Sequence, residues 1–472
     1  MTTRDDSKSS PASSTATATQ QKPQAATTMQ TDSYQKHSIH QYDAHVGCQP
    51  LLEASLQRLA QRMAFARQSD FESDAPKIWQ MADLGSADGS NSMVTLQWAV
   101  HTLQQELQEL STPLPKLHIT LEEHPASDES FLRATLQSHD DWFAQHNMTY
   151  STLMKSFYEP LFPANSIDLF LCYISLHWLD TTATDTTTKD TNDHDHSSSH
   201  SQQPTNAGSK WKSWLHASNN NTTTQNSDAT TSTPPTMPTS LSDFVFMNEA
   251  TVPTKLKHTY QNGLAKVHLA KFLALRAREL KPGAEGMLMM VSQPNDYVCP
   301  KSSSSTTASA LTRAMQSCIK QGQLRRQVLE QTLIPYYLRT QDDIREALDM
   351  AATIPFQKQT TTTTTTTSDD TTTSANDDEY DYPGSLLTLV DVQSYPVQVA
   401  SSSIAHAFEM FWSIHQGAIA TAGATEAELE CIRVETSRQF DQLYNAKDGI
   451  TIHFVACVIR RRTRKAWAQG RI

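Results

Sequence analysis

Ile78-Trp79-Gln80-Met81-Ala82-Asp83-Leu84-Gly85-Ser86-Ala87-Asp88-Gly89-Ser90-Asn91 runs from an apolar stretch through a glycine-containing loop into a helical pattern. Beyond it Met93, Leu96, Val100, Leu103 and Leu107 recur at three- and four-residue spacing, one face of a helix. Such a loop lets a ligand approach the backbone, and the helix N-terminus favours negative groups. A dinucleotide pyrophosphate requires Gly-x-Gly-x-x-Gly, whereas only Gly85 and Gly89 occur. Asp83, ending the apolar run, puts a carboxylate where it can accept a hydrogen bond from an ammonium group. The loop therefore fits a ligand with an amino-acid end better than one with a pyrophosphate.

Working outward, runs rich in β-branched or large apolar residues at 78–84, 117–121, 167–174 and 286–291 predict strands. Helical patterns at 92–110 and 260–280 lie between them, the second stopped by Pro282-Gly283. Strands alternating with helices predict an α/β fold, a parallel sheet with helices on both faces that binds its ligand at the carboxyl ends of the strands. The run at 117–121 leads into Glu122-Glu123, where an acid can accept bonds from both hydroxyls of a ribose. Past residue 300, helical patterns at 310–321, 341–350, 402–416 and 426–444 predict a mainly helical cap over about 300–448. The alternating run at 450–459 predicts a last strand returning to the sheet edge.

Three stretches of the 472 residues bury too little apolar surface to offset the entropy of ordering them. They are a tail over 1–33 and insertions at about 181–238 and 358–380, the last carrying an unbroken run from Thr360 to Thr367. The remaining residues of 34–472 form one catalytic body. Fifty acids against 38 Lys plus Arg leave a net charge of −12, which repels phosphate backbones and argues against a nucleic-acid partner. The basic cluster Arg460, Arg461, Arg462, Arg464 and Lys465 reads as a solvated tail. Six cysteines without close-pair spacing, no apolar run of about 20 residues and no secretory signal point to a cytoplasmic enzyme without a membrane partner. Asp193, His194, Asp195, His196 and His200, and the tryptophans Trp211 and Trp214, lie inside the first insertion and read as solvated sequence.

Collinear motifs then bring in a family. Tyr34-x-x-x-Ser38-x-x-Gln41, Ala82-Asp83-Leu84-Gly85 through Gly89 and Asn91, Ser156-Phe157-Tyr158-Glu159-Pro160-Leu161-Phe162-Pro163, Ser175-Leu176-His177-Trp178-Leu179, and the helix from Phe272-Leu273 to Pro282-Gly283 follow one another in order. Weaker similarity continues through Ile334-Pro335-Tyr336-Tyr337. In these the chain resembles the SABATH family of small-molecule methyltransferases, which includes salicylate, benzoate and jasmonate carboxyl methyltransferases and xanthine N-methyltransferases.

The resemblance implies a Rossmann-like class I methyltransferase sheet, S-adenosylmethionine as cofactor, a small apolar or aromatic carboxylic acid as substrate, and a homodimer. It further implies that Ser38, Asp83 and Asn91 hold the methionine part of the cofactor, with Tyr34 and Gly85 also among the cofactor-binding residues. Glu123, standing for the family's Asp, would hold the ribose, and Ser156 with Phe157 the adenine. Gln41 and Trp178 match the two donors that grip the substrate carboxylate. Ile174 replaces a substrate-contacting Tyr, His177 adjoins the pocket and Tyr337 helps enclose the acid's tail. No general base is needed, since a carboxylic acid with a pKa of about 4 is ionised at neutral pH. The family's optional magnesium motif reads Glu330-Gln331-Thr332-Leu333 here, so no metal is expected. N-methylation of a purine-like ring and a catalytically silent cofactor-binding homologue remain open alternatives; a nicotinamide dehydrogenase has the wrong glycine pattern.

Overall fold

A computed structural model describes residues 39–69, 78–179, 243–247, 249, 252–293, 303–357, 380–381, 383–399, 404–443 and 450–463. Alternation along the central strands decides the layers. In β1 (Trp79–Leu84) Met81 faces one core and Ala82 with Leu84 the other. In β4 (Ile167–Tyr173) Leu169, Leu171 and Tyr173 face the first core, Phe170 and Cys172 the second. Strands apolar on both sides must be covered on both sides. Helices α1 (Ile39–Ser69) and α2 (Ser90–Glu109) cover the first face. On the second lies α6 (Lys266–Glu279), which follows α5 (Thr254–Tyr260) through a π-helical turn at Gln261–Ala265.

The sheet also contains β2 (Leu117–Glu123), β3 (Met148–Met154), β5 (Leu280–Val291), β8 (Leu387–Val399) and β9 (Ile450–Arg461), while β6 (Phe356–Gln357) and β7 (Tyr380–Asp381) form a separate antiparallel pair. Its order is β3-β2-β1-β4-β5-β9-β8, parallel from β3 to β5, with β9 and β8 added antiparallel. The helices α3 (Glu129–Gln137) and α4 (Asp140–Gln145) join β2 to β3. Because β1 pairs with β2 on one side and β4 on the other, a crevice opens at the carboxyl ends of these strands.

Two strands exceed the sequence expectation, and one is moved. β3 lies at an edge with mostly half-buried residues, and β8 forms the opposite edge with Pro396 and a bulge between Leu389 and Asp391. Edge strands need few apolar residues, so β3 does not show as an apolar run, whereas β8 opens on Leu387-Thr388-Leu389-Val390, an apolar signal the sequence expectation did not use. β9, expected at the edge, lies inside, since Phe454 through Ile459 are buried on both faces and demand β8 beside them.

The stretch 300–448 is likewise not one cap. Helices α7 (Ser303–Lys320), α8 (Arg326–Gln331), α10 (Ile404–Thr421) and α11 (Glu426–Leu443) share a third core of Leu311, Met315, Phe408, Trp412, Ile432 and Phe440. Between them α9 (Gln341–Ala351) packs through Ile344 and Ala347 onto the second face of the sheet, and β8 joins the sheet itself. The 1–33 tail, the 181–238 insertion and most of the 358–380 insertion fall outside the described residues.

Candidate active site

The loop after β1 surrounds a small recess, partly open to solvent, lined by Asp83, Gly85, Ser86, Asp88, Asn91 and Ile174 among others. Asp83 is 5% exposed. Ser86 Oγ donates to its Oδ2 at 2.9 Å, and the Ser92 hydroxyl also bonds it. Burial raises the Asp83 carboxyl above its ordinary value, the two serines oppose that shift, and the charge of Glu123 adds to it. Asp88, also buried, is tied to the Ser90 amide and hydroxyl. No lysine or arginine lines the recess among the described residues, and its one imidazole, His45, is pushed down to about 4 by desolvation. Two buried acids without a cation make a site that favours a positively charged ligand.

Gly85 has φ of +78°, and a Cβ there would stand 2.2 Å from Ser175 Oγ. The glycine therefore serves two needs, a left-handed turn and the close approach of the segment leaving β4. Its amide donates to the Glu122 carboxylate at 3.0 Å. Glu122 is fully buried, retains an unpartnered Oε1, and is held well above the usual carboxylate range by burial and by the neighbouring charge of Glu123. Glu123 braces the loop: Oε2 accepts the Ala87 amide at 2.6 Å, and Oε1 accepts the His124 amide and the Ser127 hydroxyl. Lys155, just past β3, donates its amide to the Glu123 carbonyl. That link carries Ser156 and Phe157 to the same rim, where the Phe157 ring lies 3.7 Å from the Cβ position of Gly85.

The third wall follows β4. Ile174 adopts φ of +54°, a strained conformation for a β-branched residue, and lines the recess. The turn from Ser175 then presents His177 and Trp178. Tyr158 Oη donates to the Trp178 carbonyl at 2.7 Å, and Trp178 bridges Tyr336 across an antiparallel pair. Around them Tyr336, His415 and Phe246 form an aromatic box, with Tyr336 5.5 Å from the Trp178 ring and 4.8 Å from His177. His177 is pushed down to about 3, first by burial and then by the Arg339 and His415 charges, and His415 to about 4 by burial. Both imidazoles are neutral at physiological pH.

The structure thus brings Asp83, Gly85, Asn91 and Ile174 to one recess, with Glu123 and Phe157 beside its loop and Ser156 next to Phe157, while His177 and Trp178 follow on the turn from Ser175. Gln41 lies in α1 one turn before His45, so the two positions share a face of that helix. Tyr34 and Ser38 lie outside the described residues, as do Asp193 to His200, Trp211 and Trp214. Tyr337 packs into a satellite core with Leu179 and Tyr260, its hydroxyl on Asp343, while Tyr336 packs against Trp178. Adjacent residues in an extended segment point to opposite sides, and the bridge to Trp178 decides which one faces it. His45 also escaped the sequence reading, although its four-residue offset from Gln41 was a usable signal.

Comparison with known proteins places these features in a family context. Residues 22–210 match the profile described as SAM dependent carboxyl methyltransferase. The chain is similar to jasmonate O-methyltransferase of Arabidopsis thaliana, 29% identical over 111 residues, covering 21% of this chain and 28% of that protein. It is similar also to loganic acid O-methyltransferase of Catharanthus roseus, 29% identical over 106 residues, 22% of this chain and 27% of that protein. The chain thus spans little more than a quarter of the length of the curated relatives it matches. A solved loganic acid methyltransferase with SAH shares the fold, with a TM-score of 0.58 and 15% identity over 92% of this chain and 97% of that one.

Proposed function

We propose, for a chain whose residues 22–210 match the profile described as SAM dependent carboxyl methyltransferase, a methyltransferase that uses S-adenosylmethionine to esterify the carboxylate of a small apolar or aromatic acid. The observation that carries this reading is the recess beside Asp83, which has two buried acids and no cation. That donor set fits a ligand bearing an ammonium and a sulfonium, and it disfavours a pyrophosphate.

When bound, the cofactor supplies the methyl group from its sulfonium, ending as a neutral thioether as the new O–CH3 bond forms. The chain's residues hold and align. Asp83, oriented by Ser86 and Ser92, would accept the ammonium, with Ser38 and Asn91 proposed for the methionine part and Tyr34 as a further cofactor contact. Glu123 takes the ribose hydroxyls, and Ser156 with Phe157 the adenine. Gln41 and Trp178 donate to the acceptor carboxylate, and neither donor can be lost by titration near neutral pH. Ile174, Tyr336 and the neutral rings of His177 and His415 exclude water from the line of attack. Alignment with exclusion of water can lower such a barrier by roughly 7–11 kcal/mol in favourable cases.

The test is a turnover screen with methyl-labelled cofactor against aromatic, indolic and fatty acids and xanthines. Label released from the product by mild base identifies a methyl ester. Base-stable label would replace this reading with N-methylation, and cofactor binding without product on any acceptor would replace it with a silent homologue. The reading includes a cytoplasmic homodimer without nucleic-acid or membrane partner, which light scattering and cell fractionation check. Its support is the net charge of −12 and the absence, among the described residues, of any helix long and apolar enough to cross a membrane.

A further inference from the structure

A cavity of about 680 Å³, broadly open to solvent, lies between α1 and the ends of the strands away from the cofactor recess. Trp79, the first residue of β1, lines it, whereas the recess lies past the carboxyl end of that strand. Its wall is basic in a chain of net charge −12. Arg58 and Arg62, one turn apart on α1, share it with Lys281 of β5 and Arg460 of β9. Arg460, which the sequence reads as part of a solvated basic tail, is instead paired across the sheet with Glu285.

Two buried acids, Asp168 and Glu285, stand among these cations. Glu285 takes Arg58 through both oxygens at 2.8 and 2.9 Å, Arg460 Nε at 2.6 Å and the Ser55 hydroxyl at 2.6 Å. Asp168 takes Arg62 Nη2 at 3.3 Å, Lys281 Nζ at 2.6 Å and the Gln80 amide at 2.9 Å. Both oxygens of both acids are thus engaged, and four cations meet two carboxylates. One cation per acid would balance the charge, so the second on each adds repulsion. The Arg62 guanidinium is pushed below its ordinary value, first by burial and further by the Arg460 charge, against the pull of the two acids. Arg58 Nη1 and both terminal nitrogens of Arg460 bond to nothing among the described residues, and the four side chains remain 26–35% exposed. Two surplus charges with unused donors on an open cavity fit an incoming dianion.

The remaining walls narrow its chemistry. Arg62 and Lys281 each lie 5.6 Å from the Trp79 ring centroid, which holds them in place beside the cavity. Phe65, next along α1, is 72% exposed and lines the same cavity, leaving an aromatic face for the apolar part of a ligand. A phosphomonoester carries nearly two negative charges at neutral pH, and its oxygens match arginine forks. We propose that this cavity is a second ligand site, for a small phosphomonoester whose phosphate sits among Arg58, Arg62, Lys281 and Arg460 and whose apolar body packs on Phe65. The inference does not depend on the methyl-acceptor reading.

Calorimetry with phenyl phosphate, inorganic phosphate and the neutral phenyl glucoside tests it. The wild type should bind phenyl phosphate at one site with a Kd of about 1 mM or tighter, at least about threefold tighter than inorganic phosphate, and should not bind the glucoside. Arg460→Gln and Lys281→Gln should each weaken phenyl phosphate about tenfold and still fold, since Glu285 keeps Arg58 and Asp168 keeps Arg62. Phe65→Ala, at an exposed position, should bring phenyl phosphate to the affinity of inorganic phosphate and leave the latter within about twofold. That variant decides the matter if either charge variant fails to fold. Saturating S-adenosylhomocysteine should leave phenyl phosphate affinity within about twofold, because the two sites lie at opposite ends of β1. No binding, equal affinity for phenyl and inorganic phosphate, binding of the glucoside, insensitivity to the substitutions, or competition with S-adenosylhomocysteine would each overturn the proposal. Failure of the methyltransferase reading, seen as absence of turnover, would leave these affinities unaltered.

Discussion

Replacing Asp83 by Asn tests the cofactor site most directly, because it removes a charge and keeps the shape. The amide oxygen can still accept from Ser86 and Ser92, so the loss is the ionic part of the bond to the ligand ammonium. Hydrogen bonds to charged groups contribute about 1.5–3 kcal/mol, which translates to a roughly 10- to 150-fold weaker Kd. S-adenosylhomocysteine keeps the ammonium and lacks the sulfonium, so its affinity should fall by a similar factor to that of S-adenosylmethionine. The unliganded protein should respond in the opposite sense. Burial raises the Asp83 carboxyl in the folded state, so its contribution to stability is fully present below the unfolded value of about 3.9 and is lost as pH rises through the folded value. At pH 7 the wild type carries that cost and the variant does not. Its Tm should therefore equal or exceed the wild-type Tm at pH 7, with the advantage shrinking toward pH 4. Calorimetric titration with both ligands and thermal melts from pH 4 to 8 read both effects. Cofactor affinity unchanged within twofold, or a variant Tm that drops in step with affinity, would refute the assignment of Asp83 as the ammonium acceptor.

Gly85→Ala should cost roughly 1–2 kcal/mol for the left-handed backbone alone, with more added because the new Cβ meets Ser175. Since Ser175 opens the turn bearing His177 and Trp178, a thermal melt and binding assays should show lower Tm with loss of both cofactor and acceptor affinity. Tyr336→Ala should raise the acceptor KM about tenfold, the equivalent of about 1–2 kcal/mol of lost apolar contact, with cofactor Kd unchanged. Tyr337→Phe, by contrast, should leave that KM unaltered and cost about 1 kcal/mol or less of stability through the lost Asp343 contact, as chemical denaturation would show.

Residues that carry their meaning locally were legible in the sequence. The parallel strands β1, β4 and β5 have both faces apolar and β2 has one, where Leu117, Ile119 and Leu121 alternate with polar residues, so each shows in the sequence as a run rich in apolar residues. Asp83, Gly85 and Asn91 stand at fixed offsets in a strand, loop and helix N-terminus, and the chain geometry of that motif puts them together whatever surrounds it. Residues that act across the chain were less legible. β3, paired on one edge only, has no strong apolar signature, and β9 could not be placed until β8 was paired beside it.

The sequence by itself determined the strand-loop-helix that opens the recess, the acid at the end of β1 and the alternation that demands helices on both faces. These depend on the two-residue and 3.6-residue periods of local backbone geometry. Tertiary structure decided that Tyr336 rather than Tyr337 faces Trp178, that His45 of α1 reaches the recess, and that Arg339 is buried without an acid while Arg276 has one. Apart from the Arg276–Glu279 pair, three residues apart on one helix, these outcomes turn on partners dozens to hundreds of residues apart along the chain, whose proximity is set only when the layers pack.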